Sequence, residues 1–261
     1  MPESVGRIHA LVTAFKADAV IDQITFLPQG VSNENYRVDT EQGTLLVKLY
    51  GKPVPAAAID AQRTLAQQGV CPAPVHVDNG HRCAIFAYAP GQMPVTFDAE
   101  QALLRLVQIH GLPSGGTALD LHAELAGYAN DPCYRPYAQA LQEVVALTQA
   151  AREDYCFCHN DLIKENIISH RGQWQCIDFE YAQHGDRYFD LAMLTLSFKL
   201  SAGQQQSLFS NYFRTMKQQG NWQKFKAMQK LVAALNYFWY VRHQVQHRID
   251  EAKLSLDALM A

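Results

Sequence analysis

Hydrophobic and polar positions change their period near residue 90 of the chain. Before that point the apolar runs are short and bounded by turn residues. Ile24 to Leu27 is followed by the turn Gln29-Gly30-Val31-Ser32-Asn33, the alternating Tyr36-Arg37-Val38, a second turn at Glu41-Gln42-Gly43, and the apolar run Leu45 to Tyr50. This pattern predicts two adjacent hairpins. Pro55 opens a helical stretch over Ala56 to Gln68, and Gly69 closes it. Val75 to Val77, the turn Asp78-Asn79-Gly80, and Arg82 to Tyr88 predict one more hairpin, with Asn-Gly as a strong turn signal. Beyond Ala89-Pro90-Gly91 the period becomes helical. Helices are predicted over Asp98 to His110, Tyr134 to Arg152, Tyr188 to Leu200, Gln204 to Gln218 and Trp222 to His247. A strand-like stretch from Cys156 to Asp178 interrupts them. The expectation is an α+β chain with a β-rich lobe over 1–88 and a mainly helical lobe over 89–261, without internal repeats.

Composition narrows the partners. With 261 residues, 48% of them hydrophobic, the chain can bury two real cores. The net charge of -3 gives no basic surplus for nucleic acid or an anionic membrane as the main partner. Met1 to Val20 lacks a charged-then-apolar leader, and Leu231 to Val241 is too short to span a bilayer, so a soluble cytoplasmic protein is expected. Of the six cysteines, Cys156 and Cys158 are expected on opposite strand faces, and no histidine stands at a zinc spacing. All six read as reduced, buried thiols.

The chemistry concentrates between Cys158 and Asp190. His159, Asp161 and Asn166 form H-x-D-x-x-x-x-N, and Asp178 follows at the end of a short apolar run. Phosphoryl transfer from a metal–nucleotide complex needs such a set: one carboxylate for the incoming hydroxyl, and an amide with a second carboxylate for the metal. Asp161 is the candidate base, Asn166 and Asp178 the candidate metal ligands, and His159 a holder of the loop. Upstream, Ser32, Asn33 and the amides around them could meet phosphate oxygens. Lys48 is a lone cation in the apolar strand Leu45 to Leu49, costly to bury unless paired. Asp60, the one acid between Ala56 and Gln68, is its possible helix partner.

These residues resemble the aminoglycoside phosphotransferase-like kinases, in particular the choline/ethanolamine kinase and thiamine kinase branch. Gly30 to Val38 looks like the family's nucleotide loop, Cys158 to Ile168 like its catalytic loop, and Ile177-Asp178-Phe179-Glu180-Tyr181-Ala182 like its metal segment. Asp186 to Ala192 also matches. The resemblance covers roughly residues 20 to 250. It implies a two-lobed protein-kinase-like fold, a small antiparallel sheet with one helix beside a larger helical lobe, working with ATP and magnesium. It further implies that the backbone of the hinge from Phe86 to Ala89, with Tyr88 in it, meets adenine, that Lys48 contacts phosphates, and that Asp190 orders the catalytic loop. The chain departs from the family at Asp60, where Glu is usual, and at Lys164-Glu165, where a Pro-Gly turn is common.

The resemblance leaves the acceptor open. Choline, ethanolamine and thiamine are cations with a primary alcohol, which suit carboxylates and aromatic faces. Glu180, Tyr237 and Trp239 are the candidates to meet such a substrate. Ala202 to His247 holds no Asp or Glu, which speaks against a polycationic aminoglycoside. Thiamine is the second acceptor. A kinase-like binding module without catalysis is the rival of another class, and the joint presence of Lys48, Asp161, Asn166 and Asp178 weighs against it.

Overall fold

The structure is a computed structural model and describes residues 2–28 and 33–261. Its first half runs α1 (Pro2–Phe15), β1 (Ile21–Leu27), β2 (Asn33–Thr40), β3 (Gly43–Tyr50), α2 (Ala56–Gln67), β4 (Pro74–Asp78), β5 (Cys83–Ala87), α3 (Ala99–His110), α4 (Leu121–Ala126) and α5 (Ala138–Leu147). There follow β6 (Tyr155–Cys158), β7 (Ile167–His170), β8 (Gln173–Cys176), β9 (Gln183–Asp186), α6 (Arg187–Ser197), α7 (Ala202–Thr215), α8 (Trp222–Arg242) and α9 (Gln246–Met260). Compactness divides the chain into one unit of Met1–Gln92 with Ile168–Glu180, and a second of Met93–Ile167 with Tyr181–Ala261. The stretch Ile168–Glu180 therefore groups with the β-rich residues rather than with 89–261.

In the first unit the five strands form an antiparallel sheet in the order β1-β2-β3-β5-β4. β3 is the middle strand, which explains its near-continuous apolar sequence: both faces need covering. One face is covered by α1, a helix absent from the expectations. Its Ile8, Leu11 and Val12 pack with Tyr36, Val38, Val47 and Ile85, and Phe15 completes the i, i+3, i+4, i+7 stripe. Val54 and Ile59 pack with Ala84 and Phe86 in a second cluster. The hairpin of β7 and β8 is tied to this unit by a bridge from Gln92 to Ser169 and by the Cys176 amide, which donates to the Val70 carbonyl at 2.7 Å. Gly91 makes that bridge possible: its φ is +129°, and a Cβ there would lie 2.4 Å from the Ser169 carbonyl oxygen.

The second unit is helical around the two-stranded ribbon β6–β9. Five of its helix starts are capped by side chains, while α5 and α9 begin without one. Asp98, Asp120, Asp186, Ser201 and Asn221 each accept a backbone amide from the first turn that follows. Two expected boundaries are corrected. The helix foreseen over Tyr134 to Arg152 is shorter, Ala138–Leu147. The helix foreseen over Trp222 to His247 stops at Arg242, where Gln244 takes a φ of +55°, and α9 begins at Gln246. Among the described residues, no helix is long and apolar enough to cross a membrane.

Candidate active site

In the second unit the catalytic-loop motif begins where β6 ends. Asn160 turns the chain with a φ of +60°, and its amide Nδ2 donates to the Tyr181 carbonyl at 3.0 Å. A Cβ on Gly185 would lie 2.9 Å from Asn160 Oδ1, so a larger residue there would displace the Asn160 amide. The turn is held by Asp190 in the first turn of α6. Asp190 Oδ2 accepts the His159 amide at 2.7 Å and Oδ1 the Asn160 amide at 2.8 Å. Asp190 also meets His110 Nε2 at 3.1 Å, and His110 Nδ1 stands 2.6 Å from the Tyr212 hydroxyl. Both side chains of this pair are fully buried. Burial opposes the charge on Asp190, but bonds from His110 and the His159 amide hold its carboxyl below the usual range. Burial likewise opposes charge on His110, yet Cys156 and Asp190 raise it above the ordinary imidazole value.

The next residues bring Asp161 and Asn166 together. A short 3-10 turn over Lys164–Asn166 folds the loop back. Asn166 Nδ2 donates to the Asp161 carbonyl at 2.9 Å and to its Oδ2 at 2.8 Å. The five-residue spacing thus joins a carboxylate to an amide whose own oxygen remains an available acceptor. His159 is fully buried, in keeping with a holding role.

In the first unit Lys48 lies on β3, buried to 5% exposure, with Asn35 and Ala84 as strand neighbours. Its ammonium pairs with Asp178 and lies 3.5 Å from Glu180. Asp178 adopts a φ of +63°, a costly conformation for a residue with a Cβ. Burial first, and the neighbouring Asp178 charge after it, push the Glu180 carboxyl up against the opposing pull of Lys48. Asn33 donates to Glu180 and accepts the Gly51 amide at 3.1 Å. Its side chain therefore ties the strand end to Glu180.

The expected partner of Lys48 is corrected here. Asp60 does not pair with Lys48. Its side chain is 73% exposed and binds Arg63 at 2.5 Å, because the buried face of α2 carries Ala58, Ile59, Gln62 and Leu65. Glu180 takes the partner's place, rather than standing free for a substrate. Ser32 lies outside the described residues. Phe86 turns its ring into the core with Val54 and Ile59, and the amides of Ala87 and Tyr88 are engaged by the carbonyls of Ala73 and Thr44. Tyr88 offers its ring to Arg37 at 5.0 Å.

The second unit also holds a cavity of about 470 Å³ beside the catalytic loop. Ile163 and Glu165 border it, with Met193 of α6, Tyr240 of α8 and Glu251 of α9. Neither Tyr237 nor Trp239 lines it. Tyr237 packs edge-on against Tyr137 at 6.1 Å, and Trp239 stacks on His243 at 4.2 Å. Tyr240 is the residue sequence reading missed; the phase of the helix, one residue off, was the missing signal. The lack of acids over Ala202 to His247 does not extend to the cavity, since Glu165 and Glu251 reach it. Both are paired, Glu165 with Arg248 at 2.8 Å and Glu251 with Lys199 at 2.7 Å.

Known proteins reproduce this architecture. The choline kinase LicA from Streptococcus pneumoniae superposes with a TM-score of 0.76 at 20% identity, covering 98% of this chain and 99% of that one. A choline/ethanolamine kinase family protein from Mesorhizobium loti gives 0.73 at 20% identity, covering 98% and 92%. The GDP and kanamycin complex of APH(2")-IIia gives 0.67 at 14% identity, covering 97% and 98%. The fold is therefore the α+β, kinase-like fold that the motifs implied. No curated protein matches at the level of sequence. A family model described as the phosphotransferase enzyme family matches residues 23–227, which include Lys48, Asp161, Asn166, Asp178 and Asp190. With that span and this fold, the chain belongs to the phosphotransferase enzyme family.

Proposed function

We propose that this chain is a cytoplasmic ATP-dependent kinase that phosphorylates the hydroxyl of a small alcohol of the choline or ethanolamine type. In this reading the β-rich residues 1–88 bind nucleotide and the helical residues 89–261 bind the acceptor. The observation that carries it is the bonded pair Asp161–Asn166 within a loop fixed by Asp190. Such a loop needs no covalent chemistry of its own; it positions and neutralises. Asp161 receives the proton of the acceptor hydroxyl as the oxygen attacks phosphorus. Asn166 holds the Asp161 carboxylate in place. Lys48 steadies the phosphate oxygens, and Glu180 with Asn33 orients Lys48 from below.

The donors suit magnesium: in the first unit Asp178 supplies a carboxylate, and in the second Asn166 supplies an amide oxygen, both hard ligands. One Lys48 ammonium faces two carboxylates, so the cluster keeps a negative charge that a cation satisfies. Magnesium, when bound, would neutralise charge on the transferring phosphoryl group.

The acceptor is assigned to the cavity beside the loop, where the Tyr240 ring stands with Glu165 and Glu251 and with Lys164, Lys199 and Arg248. The ring face suits a compact ammonium group; the two carboxylates are held by Arg248 and Lys199 and would have to exchange those partners for it. The test is ADP release with ATP and magnesium, using choline, ethanolamine, thiamine and an aminoglycoside in separate reactions. Turnover with choline or ethanolamine supports the proposal. Turnover with thiamine alone moves the acceptor within the class, and turnover with the aminoglycoside alone overturns it.

A further inference from the structure

Three soft or basic side chains in the second unit have no part in the proposed reaction. Cys156 and Cys158 stand on β6, and His110 ends α3; all are buried, and one ligand atom from each lies within 4.8 Å of the other two. The opposite-face expectation for the two cysteines is corrected: residues two apart on a strand share a face. Their sulfurs are 3.6 Å apart. Two thiolates on one tetrahedral ion, each at about 2.3 Å from it, stand about 3.8 Å apart. The reduced pair is therefore spaced close to what one shared ion needs.

The surroundings agree. A histidine that binds a metal through one ring nitrogen commonly donates its other N–H to a carboxylate, which fixes the ring. His110 has that carboxylate in Asp190, 3.1 Å from Nε2, and its Nδ1 stands 2.6 Å from the Tyr212 hydroxyl.

We propose that Cys156, Cys158 and His110 form a binding site for a thiophilic divalent cation of the zinc or cadmium type, joined through Asp190 to the start of the catalytic loop. Binding is a displacement: two sulfur–metal bonds and one nitrogen–metal bond form, and the thiol protons, with the proton on the ligating nitrogen of a charged His110, pass to solvent. The site is independent of which alcohol the chain phosphorylates. The ion rigidifies His110, and through Asp190 it holds the amides of His159 and Asn160.

The test is a titration of the chelator-treated full-length protein with cadmium, followed by the ultraviolet thiolate-to-metal charge-transfer band. The expected result is a band saturating at one equivalent per chain, accompanied by proton release. Cys133→Ser, which alters the one half-exposed thiol, should keep the band, and Cys156→Ser/Cys158→Ser should lose it. His110→Gln should weaken cadmium at least tenfold. No band at one equivalent in the wild-type protein overturns the proposal without reference to any variant. An unchanged band in the folded double variant also overturns it, since the sulfur ligands would then lie elsewhere.

Discussion

Around Asp190, each carboxylate oxygen accepts a backbone amide and His110 adds a further contact, with both side chains fully buried. Around Lys48, one ammonium meets two carboxylates, one of them on a residue with a strained backbone and a side chain 30% exposed. Both clusters place opposite charges in a low-dielectric setting. The first is closed: the Asp190 and His110 side chains have partners at every oxygen and ring nitrogen, and the cluster fixes a turn. The second is left with excess negative charge and access to water. A saturated buried network makes structure, because opening it costs the full desolvation of each freed group. An unsaturated one is cheap to rearrange around an incoming ligand. The two clusters therefore predict different failures when they are damaged.

The largest contrast lies in the primary residues. Asp190→Ala should lower unfolding free energy by about 3–5 kcal/mol in urea denaturation, since it strands His110 and two amides. Lys48→Met should cost less, about 1–2 kcal/mol, because Asp178 keeps its contact with water. It should nevertheless reduce kcat/KM by about 10²–10³-fold, the scale for one lost charge-stabilising donor. If Lys48→Met unfolded the protein while Asp190→Ala left it intact, the assignment of the clusters would be reversed.

A second contrast sharpens the open cluster. Glu180→Gln should lower kcat/KM by roughly tenfold, corresponding to about 1.4 kcal/mol. Asp60→Asn should leave it within about twofold, since its partner Arg63 lies on the surface. Equal effects from the two variants would restore the helix acid as the partner of Lys48.

The closed cluster carries a pH signature. His110 is raised in the folded state, so its contribution is complete below the unfolded histidine value and fades as pH rises through the folded one. Asp190 is lowered, so its contribution is complete above the unfolded carboxyl value and fades as pH falls through the folded one. The pair stabilises most between about pH 4 and pH 6.5, the two unfolded values. The stability difference between wild type and His110→Gln should be largest near pH 5.5 and shrink toward pH 9. A difference that grows with pH contradicts the charged pair.

The smallest effect concerns the cavity. Tyr240→Ala should raise KM for the acceptor about tenfold, a loss on the scale of one cation–π contact, while Trp239→Ala leaves it within about twofold. A larger change from Trp239→Ala would move the acceptor out of the cavity.

How much of this was legible in the chain depended on the range of the contacts. The five strands were readable because alternation and turn residues are local, and Lys48 because a lone charge in β3 is conspicuous. Asp161 and Asn166 were readable as a pair of site residues because both share one loop, whereas the bond between them was not foreseen. α1 was legible in the spacing of Ile8, Leu11, Val12 and Phe15, yet that segment was read only for a leader. Glu180 was placed with the substrate because its partners are far off in sequence; Asn33 is 147 residues away. Four consecutive aromatics, Tyr237 to Tyr240, cover every helix face, so only the position of α9 could choose among them. The approach of His110 to the β6 thiols was likewise a matter of packing that no spacing encodes.

The most direct test of the central claim is magnesium-dependent ADP release stimulated by choline or ethanolamine, compared between wild type and Asp161→Asn. The account predicts acceptor-dependent turnover in the wild type and a loss of about 10²–10⁴-fold in kcat in the variant, with KM for ATP little changed. Turnover that needs no acceptor, or a variant within tenfold of wild type, would contradict it.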